Sequence, residues 1–215
     1  MSYISRIKLT DYLSQEGNIF VTGAQSVWYA ARAIRIADIN ANLNNTRLAV
    51  SGYPGSPLAN VISIGYEHAA LLAELGINFF PALNERTAVS IANGTQYVKR
   101  GVAAILAFKA PGLAQSWDDI NVASAEGAHH HGGVVMVIGD DTQGSSTATW
   151  SDSKYTLQAN LIPVLAPSFV HEIPKFIFLG NRLSRHSGCW VYVVFNDYSI
   201  AYRISAYPPH SRHIF

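Results

Sequence analysis

Glu85 stands at the start of a helix-forming run, directly behind an apolar strand-like segment, in PALNERTAVS. A carboxylate placed there is held by backbone and aimed into the crevice at the sheet edge, where apolar walls would let it share a proton with a ligand nitrogen. Acidic residues in a first helical turn also serve as plain dipole partners, and spacing alone leaves both roles open. Three further loops follow the same plan: SGYPGSPLAN, AFKAPGLAQS and HGGVVMVIGDD each put a glycine-rich or acidic turn after an apolar run. In Gly52, Tyr53, Pro54, Gly55, Ser56 and Pro57, two glycines let backbone approach a ligand. Ser56 adds a hydroxyl near a helix start, which suits a carboxylate or phosphate. A tight strand-to-helix turn would need the same glycines. Lys109 to Gly112 (KAPG) brings a cation to the third strand end, and Asp140 with Asp141 closes the fourth.

Other chemistries find less support. Adjacent carboxylates in a strand point to opposite faces, so Asp140 and Asp141 do not read as a metal pair; one of them should cap a helix or bond the next loop. His129, His130 and His131 are consecutive, and consecutive side chains do not converge on one ion, so a loop lining is expected and no metal ligand is assigned. The chain has no Gly-x-Gly-x-x-Gly fingerprint, P-loop or Gly-x-Ser-x-Gly elbow. Its one cysteine, Cys189, beside Gly188 and ahead of an apolar strand, reads as a buried structural thiol. A single thiol excludes an internal disulfide framework and an iron–sulfur cluster, which takes about four such ligands.

Composition agrees with one large domain. With 215 residues, 49% hydrophobic, the chain can bury a substantial core. Charged residues make up 13% and the net charge is +1, which leaves no basic stripe for nucleic acid and no polybasic segment for a membrane. So few surface charges suggest that a partner covers part of the surface. MSYISRIKLTDYLSQEG lacks a continuous apolar stretch and does not read as a secretory signal, so a cytoplasmic location is expected.

The elements that must position these loops recur regularly. Strands are expected at Arg47 to Tyr53, Ile77 to Leu83, Val102 to Phe108, Val134 to Gly139, Leu161 to Ala166 and Trp190 to Phe195, because continuous apolarity suits strands buried on both faces. Between the first two, Leu58, Val61, Ile62, Gly65, Ala69, Leu72 and Leu75 form one apolar helical stripe that Gly76 stops. Asn84 is a good N-cap for a helix from Glu85 to Val98, closed by Lys99 and Arg100. An alanine-rich helix within 17–43 should pack across the sheet, and a helix after Pro167 is interrupted by Pro174 and Gly180. Alternating strand and helix predicts a doubly wound, mostly parallel α/β sheet of about six strands with helices on both faces.

Taken in order, GNIFVTGAQS, SGYPGSPLAN, NERTA, KAPGL, HGGVVMVIGDD, SSTATWSDSKYTL, IPVLAPS and RLSRHSGCWV resemble the N-terminal domain of the indolepyruvate ferredoxin oxidoreductase family, within the wider 2-oxo acid:ferredoxin oxidoreductases. The resemblance implies a thiamine diphosphate-binding fold and, within it, the pyrimidine module. It implies that Glu85 pairs with a pyrimidine ring nitrogen of the cofactor, with Tyr53, Pro54 and Gly112 around it. Ser56, Gly55 and Lys109 would face the 2-oxo acid. The family decarboxylates an aryl 2-oxo acid such as indolepyruvate, passes electrons through iron–sulfur clusters to ferredoxin and captures the acyl group on coenzyme A.

Two departures qualify that picture. The chain lacks the Gly-Asp-Gly and later asparagine of a diphosphate-binding module, and it lacks cysteine clusters. Magnesium and iron–sulfur clusters are therefore expected on a diphosphate-binding partner domain or subunit, in a dimeric assembly, and the chain alone is expected to be inactive. The organisation expected is an extension over 1–16, the pyrimidine domain over 17–197, and an irregular tail over 198–215, as in a fragment or small subunit of a larger enzyme. The alternative is a catalytically inactive binding or assembly remnant of the same fold.

Overall fold

The computed structural model describes residues 19–144, 148, 150–159, 161–196 and 203–206. In chain order the elements are β1 (Ile19–Thr22), α1 (Gly23–Asn40), β2 (Arg47–Gly52), α2 (Ala59–Glu74), β3 (Ile77–Pro81), α3 (Glu85–Gln96), β4 (Val102–Lys109), α4 (Ala110–Gln115), α5 (Trp117–Glu126), β5 (Val134–Asp140), α6 (Lys154–Ala159), β6 (Val164–Leu165), α7 (Ile173–Ser187), β7 (Val191–Asn196) and β8 (Arg203–Ala206). Six strands form one sheet in the order β3-β2-β4-β5-β7-β6, and every pairing in it is parallel.

Both faces of this sheet are buried, which explains the unbroken apolar runs. Along β4, Ala103, Ile105 and Ala107 join one core with α1, α2 and α7, while Ala104, Leu106 and Phe108 join a second core with α3, α4, α5 and α6. The side each helix takes follows from chain direction. The step from β2 to β3 moves one way along the sheet, and the next, from β3 across to β4, moves the other way. A right-handed crossover then requires α2 and α3 to lie on opposite faces, as they do. The reversal between β2 and β4 opens a crevice at the carboxyl ends of these strands.

Local sequence sets the helix ends. Thr22 accepts from the Gln25 backbone N–H at 3.3 Å while the Gln25 side chain returns a bond to the Thr22 N–H at 2.8 Å, a capping box that starts α1. Asn84 Oδ1 accepts from the Thr87 N–H at 2.8 Å, which fixes the start of α3 at Glu85. Gly76, at φ 75°, ends α2 in the left-handed region that glycine tolerates.

Several expectations need correction. The fifth strand is only Val164–Leu165, because Leu161 takes φ 58° and the Ile162 N–H bonds back to Leu157 O at 3.2 Å, finishing α6 instead of beginning a strand. Pro174 does not interrupt a helix: it sits in the first turn of α7, where its missing N–H has no helical partner to lose. Gly180 lies within the continuous α7, with Val135 and Val191 near 3.4 Å from where a Cβ would stand. The α3 helix ends at Gln96, so Lys99 and Arg100 lie in the turn beyond it. Arg203–Ala206, in the stretch read as an irregular tail, is a strand paired antiparallel with β1. No helix among the described residues is long and apolar enough to cross a membrane.

Candidate functional site

The four strand-end loops meet in one place, and glycines make the meeting possible. A Cβ on Gly112 would stand 2.6 Å from Glu85 Oε1 and 2.7 Å from its Cδ, so the bare α4 backbone is what lets the carboxyl fit. A Cβ on Gly55 would stand 2.9 Å from Lys109 Cδ, so the Lys109 stem lies across the Gly52–Pro57 turn. One on Gly139 would stand 2.9 Å from Pro57 Cγ, bringing β5 against the same turn. Ser51 Oγ donates to Phe80 O at 2.7 Å and ties the ends of β2 and β3 together.

Within this cluster Glu85 is 4% exposed, and no hydrogen bond reaches its carboxylate among the described residues. Buried carboxylates are ordinarily satisfied, so one without donors is an acceptor held in reserve. Lys109 caps α4 without an ion pair among the described residues. Two opposite charges thus border one crevice without neutralising each other. Arg86, the next residue after Glu85, donates to Asp119 through Nε at 2.6 Å and anchors the start of α3 to the first turn of α5.

The remaining sequence candidates divide. Tyr53, Pro54 and Ser56 are exposed at the rim and Gly55 is half-buried. Phe80, Leu83 and Trp150 leave further apolar surface on strand-end segments, Leu83 at 87% exposure and Trp150 at 80%. Asp140 is spoken for: its carboxylate accepts from Ser153 N at 2.8 Å and Ser153 Oγ at 2.7 Å, so it holds the segment that starts α6. Burial raises the Asp140 carboxyl above its ordinary value, and the two Ser153 bonds lower it by less. Asp141 is buried, with its N–H bonded to Ser151 Oγ at 3.2 Å.

His129, His130 and His131 lie before β5, at the opposite edge of the sheet, with ring centroids 4.4 Å and 4.0 Å apart for successive pairs. They do not line the strand-end crevice. Among the described residues no group of three or more His, Cys, Asp or Glu is placed to hold a metal ion. Cys189 is exposed rather than buried: Gly188, at φ 75°, turns the chain so that Trp190 takes the interior position.

Sequence reasoning missed the role of Gly112 as the space for Glu85; the contact spans two loops, and only the glycine in KAPG signals it. It also missed a cavity of about 550 Å³ beside α4, with Ala110, Leu113 and Trp117 on one wall and Ser151 and Thr156 on the other.

No family model matches the sequence, and no curated protein matches it. Among solved structures the chain is similar to 2-oxoglutarate:ferredoxin oxidoreductase from Magnetococcus marinus, determined with 2-oxoglutarate, coenzyme A and succinyl-CoA bound. The TM-score is 0.60 and the identity 19%, covering 86% of this chain and 30% of that one. The likeness is one of fold. It is consistent with the thiamine diphosphate-binding fold that the sequence resemblance implies, and this chain spans less than a third of that neighbour's length.

Proposed function

We propose that this chain is the pyrimidine-binding half of a thiamine diphosphate-dependent 2-oxo acid:ferredoxin oxidoreductase. The observation that carries this reading is Glu85, 4% exposed, packed against Gly112 and without a donor among the described residues. A ring nitrogen of an aminopyrimidine is a fitting partner, since it can share a proton with a carboxylate held out of water. Tyr53, Pro54 and Gly112 would surround the ring, and Ser56, Gly55 and Lys109 would face the substrate. When bound, thiamine diphosphate supplies the electron sink through which a 2-oxo acid loses carbon dioxide.

On this reading the protein's residues divide the work as follows. Glu85 holds the proton at the pyrimidine nitrogen, and the start of α3 fixes its direction. Lys109 attracts the substrate carboxylate from the neighbouring strand end, and Ser56 donates to it. The exposed apolar residues of the rim exclude water once an opposing domain closes over them. That opposing domain, on a partner subunit or further along a longer chain, would bring the diphosphate and magnesium site and the iron–sulfur clusters that deliver electrons to ferredoxin. Coenzyme A would take the acyl group, in a dimeric cytoplasmic assembly. An indolepyruvate-type aryl substrate is the finer reading, supported by the ordered run of loops from GNIFVTGAQS to RLSRHSGCWV.

Titration calorimetry with thiamine diphosphate and magnesium, with and without a diphosphate-binding partner, tests this. Binding is expected only in the presence of the partner, and Glu85→Gln should weaken it. Tight binding and decarboxylation by the isolated chain would refute the half-site reading. No binding even with the partner would favour the inactive remnant.

A further inference from the structure

Where the strands of the large sheet begin, the surface carries cations that neither the fold nor the proposed cofactor site uses. Lys99 and Arg100 are exposed in the turn between α3 and β4, and neither makes an ion pair among the described residues. Arg47, half-buried at the start of β2, donates only to the backbone carbonyls of Asn44 and Thr46 among the described residues. Its own N–H bonds to Gly101 O at 3.4 Å, which sets it beside Arg100. Gly101 in turn packs on His131, where a Cβ added to the glycine would stand 2.6 Å from the histidine Cβ. The exposed His130 lies against His131, with ring centroids 4.0 Å apart, and Arg185, whose Nε donates to Gly132 O at 2.9 Å, closes the row. The row runs across the starts of β2, β4 and β5, about 10 Å at the usual strand spacing.

Helix ends do not account for this row. Helices of a doubly wound sheet finish where the next strand begins, and their partly negative last carbonyls attract cations within the final turn. Yet α1, α2, α3 and α5 have no basic residue in that turn, and only α7 does, with Arg185 and His186. Lys99, Arg100 and Arg47 stand outside these turns. Nearby acids do not neutralise them either. Asp38 is wholly buried and bonded to Arg185 and Thr46, and Glu126 is engaged by the Asn93 amide at 2.6 Å and by Tyr97. Glu74, at the end of α2, leads into β3, outside the row. In a chain of net charge +1 this is a local positive excess, and it adjoins apolar surface: Tyr97 and Val98, immediately before Lys99, are 68% and 37% exposed.

We propose that this amino edge docks an acidic face of a partner protein. Carboxylates of the partner meet Lys99, Arg100 and Arg47, the His130 and His131 rings lie alongside, and an apolar side chain of the partner covers Tyr97 and Val98. Tyrosine and arginine are enriched at protein interfaces, and complementary charge supplies the register and the rate of encounter. Three surface cations are few for a nucleic acid, whose binding proteins commonly neutralise about 6–10 phosphates. They are also few for a membrane surface, which is met by clusters of about 4–8 Lys and Arg. Glu85 lies at the other end of the strands, so the proposal does not depend on the cofactor reading.

Fluorescence anisotropy with the full chain tests this, the probe being a fluorescein-labelled peptide of glutamates around a central leucine pair. The peptide should bind at low ionic strength and weaken steadily with added salt. Lys99→Glu together with Arg100→Glu should weaken binding by about tenfold, the scale expected when two exposed charge pairs turn repulsive. Lys175→Glu makes the same charge change as Lys99→Glu alone, but in the first turn of α7, about 15 Å along that helix from Arg185. It should leave binding nearly unaltered. Should the double reversal fail to fold, Lys99→Gln with Arg100→Gln should weaken binding in the same direction. No binding of the peptide at low salt overturns the proposal, as does an effect of Lys175→Glu equal to that of Lys99→Glu. Tighter binding of an oligothymidylate of equal charge would make the surface a nucleic-acid site, and tighter binding of phosphatidylserine vesicles a membrane site; either result also overturns it.

Discussion

Where the strands of the large sheet begin, the Asp38 carboxylate takes two bonds from Arg185, at 2.5 and 3.0 Å, and one from Thr46 Oγ1 at 2.9 Å. Arg35 donates to the same Thr46 at 2.7 Å, and Arg185 Nε and Asn181 both donate to Gly132 O. Where the strands end, Glu85 and Lys109 have no such partners among the described residues. Both edges bury charge, but only the first surrounds it with opposite charge and hydroxyls. A bonded buried network fixes how α1, α7 and the strand starts meet, whereas a carboxylate left open is available to a ligand. The contrast separates residues that hold the fold from residues that the fold holds in readiness.

The sharpest way to break the contrast is Glu85→Gln. With no hydrogen bond to lose, the isolated chain should keep its stability to within about 1 kcal/mol in urea unfolding. In the proposed assembly with a diphosphate-binding partner, the exchange of the C2 proton of thiamine diphosphate, followed by NMR, should slow by roughly 10²–10⁴, the usual worth of a positioned acid or base. Unchanged exchange would return Glu85 to the role of a helix-dipole partner.

Arg185→Ala attacks the other edge and should reverse the pattern. It leaves Asp38, whose side chain is 0% exposed, without its bidentate partner. Removing one member of a buried pair costs about 3–5 kcal/mol, and equilibrium unfolding should read a loss of that order. The partial ion pair with Arg35, at 3.6 Å, moderates it. A loss below about 1 kcal/mol would mean that water replaces the guanidinium, and the edge would not be the clamp described here.

How much of this was legible in the sequence depends on how far apart the contacting residues lie. Strands β2, β4, β5 and β7 were visible because burial on both faces leaves continuous apolar runs, the edge strand β3 was visible from its apolar residues although Asn78, Phe80 and Pro81 are exposed, and the strand-end loops were visible because glycines and Asn84 punctuate them. The clamp was not, since Asp38 and Arg185 are 147 residues apart and nothing in the sequence around either one signals the other. The β1–β8 ribbon was missed for the same reason, four residues at each end of the chain carrying no period of their own. Pro174 misled because a proline that breaks a helix interior is at home in a first turn. In the site, Glu85 could be named from its cap, but its lack of donors and the space at Gly112 emerge only when the loops are folded together.

The smallest expected effect is a pH dependence at the amino edge. Burial lowers the His129 pKa from its ordinary value, with further lowering by His130, His131 and Arg185. Folding therefore favours neutral His129, whose Nδ1 accepts from the His131 N–H at 3.1 Å and can do so only unprotonated. The unfolded chain binds the extra proton first, so the contribution to stability is complete above the unfolded value, about 6.5. It is lost as pH falls through the lower folded value. Urea midpoints at neutral pH and near pH 5 should show the chain losing stability on acidification, and His129→Gln should remove part of that slope while leaving thiamine diphosphate binding in the proposed assembly unchanged. An unaltered slope would assign the acid sensitivity to other groups. A change in cofactor binding would instead couple the two edges, and their division of labour would fail.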